Sequence, residues 1–352
     1  MLFPVKPVDR EFYAEHLAGF LPRRLMDIHT HVWLDSFLQP ADRETRGARW
    51  PRLVARDNSI DDLLETFRLM LPQHQVTPLI FSATRADVIL EQSNHYVSQV
   101  ARQHRLPALL VSKPEWSAEQ IAQRVREGGM LGLKPYLNFA PAHIPTAQIT
   151  IFDFLPRHHL EIANAQGWIV MLHVPRPQRL KDPLNLQHLL EIEKNYPNVK
   201  LIVAHIGRAY CPEDVGNAFE ILRNTARMNF DFSANTNAEI MAQLIRAVGP
   251  KRVLFGSDMP ILRMRTRRIC ENGKYINLVP PGLYGDVSDD PNLRAVGQAE
   301  GEQLSFFLYE ELLAMCRAAK MTNLDASDLN DIFYHNAARL IGFDPGFHHE
   351  EN

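Results

Sequence analysis

The chain has only three cysteines in 352 residues, Cys211, Cys270 and Cys316, and no two of them form a CxxC pair. That spacing offers neither a disulfide framework nor a thiolate metal site, so a reducing, cytoplasmic compartment is the expectation. Long hydrophobic runs are missing too. The apolar stretches are strand-sized, far short of the ~20 residues that span a bilayer. The first residues, MLFPVKPVDREFYAEHLAGF, carry early acids and no continuous apolar segment, so no signal peptide is expected. Nor is there an excess of charge: the formal net charge of −3 points to neither nucleic acid nor an anionic membrane as partner. No internal repeat, low-complexity tract or second-domain boundary stands out, and residues 1–352 are expected to form a single domain.

What is present is an ordinary soluble composition, 45% hydrophobic and 22% charged, with enough chain for a large core. Eight short apolar, β-rich segments recur: Leu25–Trp33, Thr77–Ala83, Leu106–Ser112, Gly132–Leu137, Trp168–Val174, Val199–Gly207, Met228–Ala234 and Val253–Asp258. Helical periodicity fills the intervals, over Ile60–Leu71, Asp87–His104, Ser117–Glu127, Phe154–Gln166, Leu186–Tyr196, Val215–Arg227 and Ala238–Val248. Alternation of this kind predicts βα units and a parallel sheet. Eight units favour a (β/α)₈ TIM-like barrel, its core spanning about 25–342, over an open doubly wound sheet. Long loop insertions are expected after strand one (Leu34 to about Ser59) and after strand eight (Met259 to about Gln298), where barrel enzymes build their active sites. A last helix is expected over Ser327–Leu340 with Ser327 as N-cap, followed by a polar tail in which His348 and His349 are expected to be disordered.

Fifteen histidines are many for this length, and their placement carries the chemistry. Residues two apart on a strand share a face, so His29 and His31 are expected to project together, with Asp27, from the first strand. His173, His205 and Asp258 each end an apolar strand in the same way (Met-Leu-His, Val-Ala-His, Gly-Ser-Asp). One such group alone reads as a core histidine satisfying a hydrogen bond. Several together, each costing ~1–3 kcal/mol if buried unpaired, call for a shared partner. A divalent cation is that partner, since neutral imidazole and carboxylate suit Zn²⁺, with Mn²⁺ or Fe²⁺ as alternatives.

Asp27-Ile-His-Thr-His31, the His173 and His205 strand ends, Phe255-Gly-Ser-Asp-Met-Pro260 and Asn336-Ala-Ala-Arg-Leu340 resemble the amidohydrolase superfamily. The likeness runs from about Leu25 to Gly342. It is nearest to the amidohydrolase-related (amidohydrolase 2) branch, which includes aminocarboxymuconate-semialdehyde decarboxylase. The resemblance implies His29, His31, His173 and Asp258 as metal ligands, with Asp258 and His205 as the catalytic groups that handle the proton of a metal-activated water. Lys134 matches the strand-four lysine that, when carboxylated, bridges two metals, with His205 then on the second ion. One ion is favoured, and Lys134 is otherwise available to a substrate anion.

Basic residues follow the strand ends: Arg85, Lys113, Lys134, Arg176, Arg208, Arg263 and Arg265. Cations at one rim attract anions, and the guanidinium fork suits carboxylate. A small anionic, carboxylated substrate is expected, bound by Arg85, Lys134, Tyr136, Arg176, Arg208 and Arg263. Trp33, Trp116, Tyr136 and Tyr210 are candidates for flat walls. The expected activity is hydrolysis of a lactone, amide or ester. The alternatives are non-oxidative decarboxylation of an aromatic or unsaturated acid, a sugar-acid isomerase, or a barrel that binds without catalysis. A homodimer is the base-rate expectation.

Overall fold

The computed structural model describes residues 2–39 and 51–342. Part of the expected strand-one insertion, together with His348 and His349, lies outside the described residues. All eight expected strands are present: β1 (Arg24–His31), β2 (Gln75–Phe81), β3 (Leu110–Ser112), β4 (Gly132–Pro135), β5 (Ile169–Leu172), β6 (Lys200–Val203), β7 (Asn229–Asp231) and β8 (Val253–Leu254). Strands β3 to β8 form a six-stranded sheet in sequential order, every pair parallel, and β1 pairs parallel with β2. Isolated bridges join the two sheets, Ile80 to Ala108 on one side and Thr30 to Met259 on the other. At the second seam Ile28 N–H donates to Phe255 O at 2.9 Å and His31 N–H to Met259 O at 2.8 Å. The ladder is interrupted at both seams, and the order shows no reversal of the kind a doubly wound sheet requires.

Helices cover the strands, started by local chemistry. Ser59 and Asp62 cap Ile60–Met70 reciprocally, Ser117 and Gln120 do the same for Ala118–Gly128, and Asp182 caps Pro183–Asn195. The helix expected over Phe154–Gln166 is two helices, Ile151–Phe154 and Arg157–Gln166, because Pro156 cannot continue the first. Val215–Arg227 shrinks to Ala218–Leu222, since Gly216 sits at φ +53. At the C-terminal end the cap is Asp325, which accepts from Asp328 N–H at 2.9 Å, two residues ahead of the expected Ser327.

Two strand ends differ from expectation in a way that shapes the site. Strand β6 stops at Val203, and His205, Ile206, Gly207 and Arg208 follow at φ 56, 51, 61 and 64, a full turn of left-handed backbone. That conformation costs ~1–2 kcal/mol per non-glycine residue and is unusual for a β-branched one such as Ile206. In β1 the register to β2 slips between Asp27 and Thr30. Pro78, opposite Asp27, has no N–H to donate there, and the resulting bulge re-aims His29.

The segment after β8 carries an antiparallel hairpin, β9 (Arg267–Glu271) with β10 (Lys274–Val279), and β10 pairs on its other edge with β11 (Leu293–Ala295). Here the cysteine expectation fails. Cys211, just past the left-handed turn, and Cys270 on β9 are disulfide-bonded with Cα atoms 5.8 Å apart, and Cys316 is buried and free. The partners are 59 residues apart, and only the tertiary fold brings them together. The inference of a reducing compartment from unpaired thiols therefore loses its premise. Among the described residues no helix is long and apolar enough to cross a membrane.

Closing a loop of that length stabilises by about 2–4 kcal/mol. Non-reducing peptide mapping should recover the Cys211–Cys270 pair, and Cys270→Ser should lower the unfolding free energy by about that amount in urea titration.

Candidate metal centre

The ends of β1, β6, β7 and the segment after β8 converge on one buried cluster. Asp258 Oδ1 lies 3.5 Å from His29 Nε2 and 3.3 Å from His31 Nε2. Each imidazole is held from behind. His29 Nδ1 is 2.9 Å from Asp231 Oδ2, His31 Nδ1 is 3.1 Å from Ser82 O, and His205 Nδ1 is 3.1 Å from Ser233 O. A carbonyl oxygen only accepts, so Nδ1 carries the proton in His31 and His205, and Nε2 is left with a free lone pair. The same tautomer in His29 donates to a carboxylate, the arrangement that orients ligating histidines in metal sites. Gly256 makes the approach possible, since a Cβ there would stand 2.9 Å from His29 Cβ.

Two triads have ligand atoms within 4.8 Å of one another: His29, His31 and Asp258, and His29, His205 and Asp231. His173 stands beside them, its ring 5.3 Å from that of His205 and 5.0 Å from that of Tyr136, with its Nδ1 unpartnered. Burial pushes the His29 imidazole down to about 3, with the Lys134 charge acting the same way, and burial holds His173 and His205 below the usual histidine range. Neutral imidazoles are the form that ligates. Burial works to raise Asp231 and Asp258, but the facing imidazoles and hydrogen-bond donors win, and both stay ionised. Buried imidazoles with free Nε2 lone pairs set against ionised carboxylates form a donor set that fits a divalent metal.

Asp27 does not join the ligand atoms. Its Oδ1 accepts from His29 N–H at 3.1 Å and Ser257 N–H at 2.9 Å, bracing both strands beneath the site, and burial raises its carboxyl to about 7. Lys134 is fully buried, its Nζ has no hydrogen-bond partner and lies 5.1 Å from the Phe81 ring centroid, and burial lowers it to about 8. Tyr136 and Arg208 also lie at the cluster, where the charges of Arg208 and Asp258 both act on the Tyr136 hydroxyl.

Three expected substrate residues have partners outside the cluster. Arg85 is ion-paired with Asp87 in its own loop, Arg176 donates to Asp182 at 3.0 Å, and Arg263 reaches Thr66 and Val54 on the outer layer. Conversely, the sequence reading overlooked Asp231. It ends β7, and its Oδ1 accepts from His205 N–H at 2.9 Å, Ser233 N–H at 3.1 Å and Ser233 Oγ at 2.5 Å. An acid closing the apolar Met228-Asn-Phe-Asp was the available signal.

The amidohydrolase family model matches residues 26–271, and the chain belongs to that family. The chain is therefore an enzyme of a family whose members are metal-dependent hydrolases or decarboxylases. No curated protein matches the sequence. Among solved structures it is similar to an amidohydrolase from Burkholderia multivorans, seen with bound zinc or HEPES, at 14% identity and TM-score 0.56, over 91% of this chain and 99% of that one. A candidate 2-pyrone-4,6-dicarboxylic acid hydrolase from Pseudomonas putida is 16% identical with TM-score 0.54, over 93% and 100% of the two chains. A dihydroxybenzoic acid decarboxylase from Polaromonas sp. JS666, with manganese and the inhibitor 2-nitroresorcinol bound, is 13% identical with TM-score 0.54, over 91% and 97%.

Removing the partner that orients a ligating histidine lowers metal affinity about 10–100-fold. Asp231→Asn should show that loss in a chelator competition while the far-ultraviolet spectrum keeps its α/β shape.

Proposed function

We propose that the chain is a hydrolase of a small carboxylated lactone, amide or ester, built on a single (β/α)₈ barrel with long insertions after strands one and eight. The observation that carries the reading is Asp258 Oδ1 set between His29 Nε2 and His31 Nε2 in a buried cluster. His29, His31, His173 and Asp258 would hold the ion, with zinc the expected metal for imidazole and carboxylate donors. A divalent cation supplies Lewis acidity to a carbonyl and makes a water acidic enough to lose its proton near neutrality.

The chain's own residues do the rest. Asp258, ionised and within reach of two imidazoles, accepts the proton of the attacking water and passes it to the leaving group. His205, its Nδ1–H spent on Ser233, keeps Nε2 free to orient that water. Lys134 and Arg208 hold the substrate anion, and because Lys134 is fully buried its electrostatic attraction is strong. One ion fits better than two. Asp231 already serves His29 and three further donors, and so has little left to give a second cation.

A second reading, decarboxylation of an aromatic acid, is favoured by the rings that face the cluster. Phe81 lies 4.5 Å from the His31 ring and Tyr136 lies 5.0 Å from that of His173. These flat surfaces suit an aromatic substrate.

Elemental analysis should find one divalent ion per chain. His29→Ala and Asp258→Asn should each lose about a thousandfold or more in kcat/KM, the size of a lost metal contribution of several kcal/mol. Undiminished turnover in either variant would end the assignment. In a screen of carboxylated lactones and aromatic acids, turnover that releases CO₂ without a new carboxylate selects the decarboxylase.

A further inference from the structure

The arginines of the segments beyond the strand ends divide into those with a counter-ion and those without. Arg85, Arg176, Arg179 and Arg265 pair with Asp87, Asp182, Asp214 and Asp9. Among the described residues, Arg208 and Arg268 form no ion pair. Arg208 Nη1 is held only by the carbonyls of Val174 and Pro175, each at 3.3 Å. Arg268 comes from β9 of the hairpin after β8. Its Nε donates to Asn277 Oδ1 at 2.8 Å and its Nη1 to Ala234 O, next to the Ser233 that holds His205. The guanidinium carbon sits 4.6 Å from the Tyr210 ring centroid, 4.4 Å from that of Tyr275 and 4.5 Å from that of Phe307.

Carbonyls and ring faces orient a guanidinium but do not neutralise it, and a desolvated charge without a counter-ion is costly. Asp258, whose charge reaches Arg268, is engaged with His29 and His31. Beside Arg268, Asn277 is fully buried, and its Nδ2 is a donor without a partner. Arg208 closes the turn that His205 begins, and Arg268 reaches the carbonyl next to Ser233, so both arginines stand on segments that hold the candidate site. The Cys211–Cys270 bond, one residue from Tyr210 and two from Arg268, ties the hairpin to the loop after β6.

We propose that Arg268, with Asn277 Nδ2 and Arg208 beside it, binds a substrate carboxylate remote from the reacting group, and so determines specificity for a substrate with two anionic ends. This rests on the reading of the site as one for a carboxylated substrate. One end would meet the metal centre, and the other would supply the counter-ion that the arginines lack.

The test uses the zinc-loaded full chain and calorimetric binding of two probes, isophthalate and benzoate. The native protein is expected to bind isophthalate about tenfold or more tighter, the contribution of one charge-assisted contact. Arg268→Gln should collapse that ratio to about twofold or less without changing zinc content. Arg268→Lys, which keeps the charge but loses the fork, should give an intermediate ratio, and it decides the matter if Arg268→Gln fails to fold. A ratio preserved in the variants, whether both affinities hold or fall together, assigns Arg268 a structural role and overturns the proposal. Equal binding of both probes by the native protein overturns the subsite alone, whereas binding of neither overturns the carboxylate-substrate reading with it.

Discussion

The contact between His29 Nδ1 and Asp231 Oδ2, 2.9 Å across from β1 to β7, is the constraint on which the site depends. It keeps His29 Nε2 facing Asp258, and the same carboxylate holds the backbone of His205 and both the N–H and the hydroxyl of Ser233. Four donors on one buried acid, from β1 and from the loops after β6 and β7, leave those segments little freedom. The left-handed turn at 205–208 is tolerated for that reason: its first N–H is anchored by Asp231, and Ile206 is packed away from water.

Around this anchor the charges are sorted by distance along the chain. Local pairs such as Arg85 with Asp87 and Arg176 with Asp182 satisfy themselves within a loop. The groups at the centre cannot do so. Lys134 Nζ, Asp27 Oδ2, His173 Nδ1 and Glu311 Oε1 are buried without hydrogen-bond partners, and burial pushes the Glu311 carboxyl well above its usual range. Lys134 Nζ and His173 Nδ1, unpartnered beside the candidate ligands, fit a place shaped for a ligand that the polypeptide does not itself supply.

Much of this was legible in the sequence. Eight apolar segments became eight strands, because strand cores are set by local hydrophobicity and β-branching. Their ends were less legible. Strand β6 stops early because Asp231, 26 residues on, captures His205 N–H, which no local pattern encodes. The histidine pair on β1 was readable from period two, yet Asp27 left that face through a bulge that Pro78 helps to explain. Position after a strand end says nothing about the nearest acid, so the local pairing of Arg85 and Arg176 was not legible there, although Arg85-x-Asp87 was a readable warning. Arg267 and Arg268, adjacent in the chain, take opposite faces of β9, one toward Glu310 and one inward. Composition cannot sort such neighbours, and the disulfide lay beyond any spacing rule.

The left-handed turn has a consequence for how the enzyme can change. His205 and Arg208 lie on the same four residues, whose backbone handedness is shared and whose third member, Gly207, sits at φ +61, where a side chain would be strained and would make Leu180 Cδ1, 2.6 Å from its Cβ, move. The histidine proposed to orient the water and the arginine proposed to hold the anion are thus mechanically one part. Inserting or deleting a single residue in the turn would misplace both, so chemistry and ligand choice at this corner cannot be altered independently.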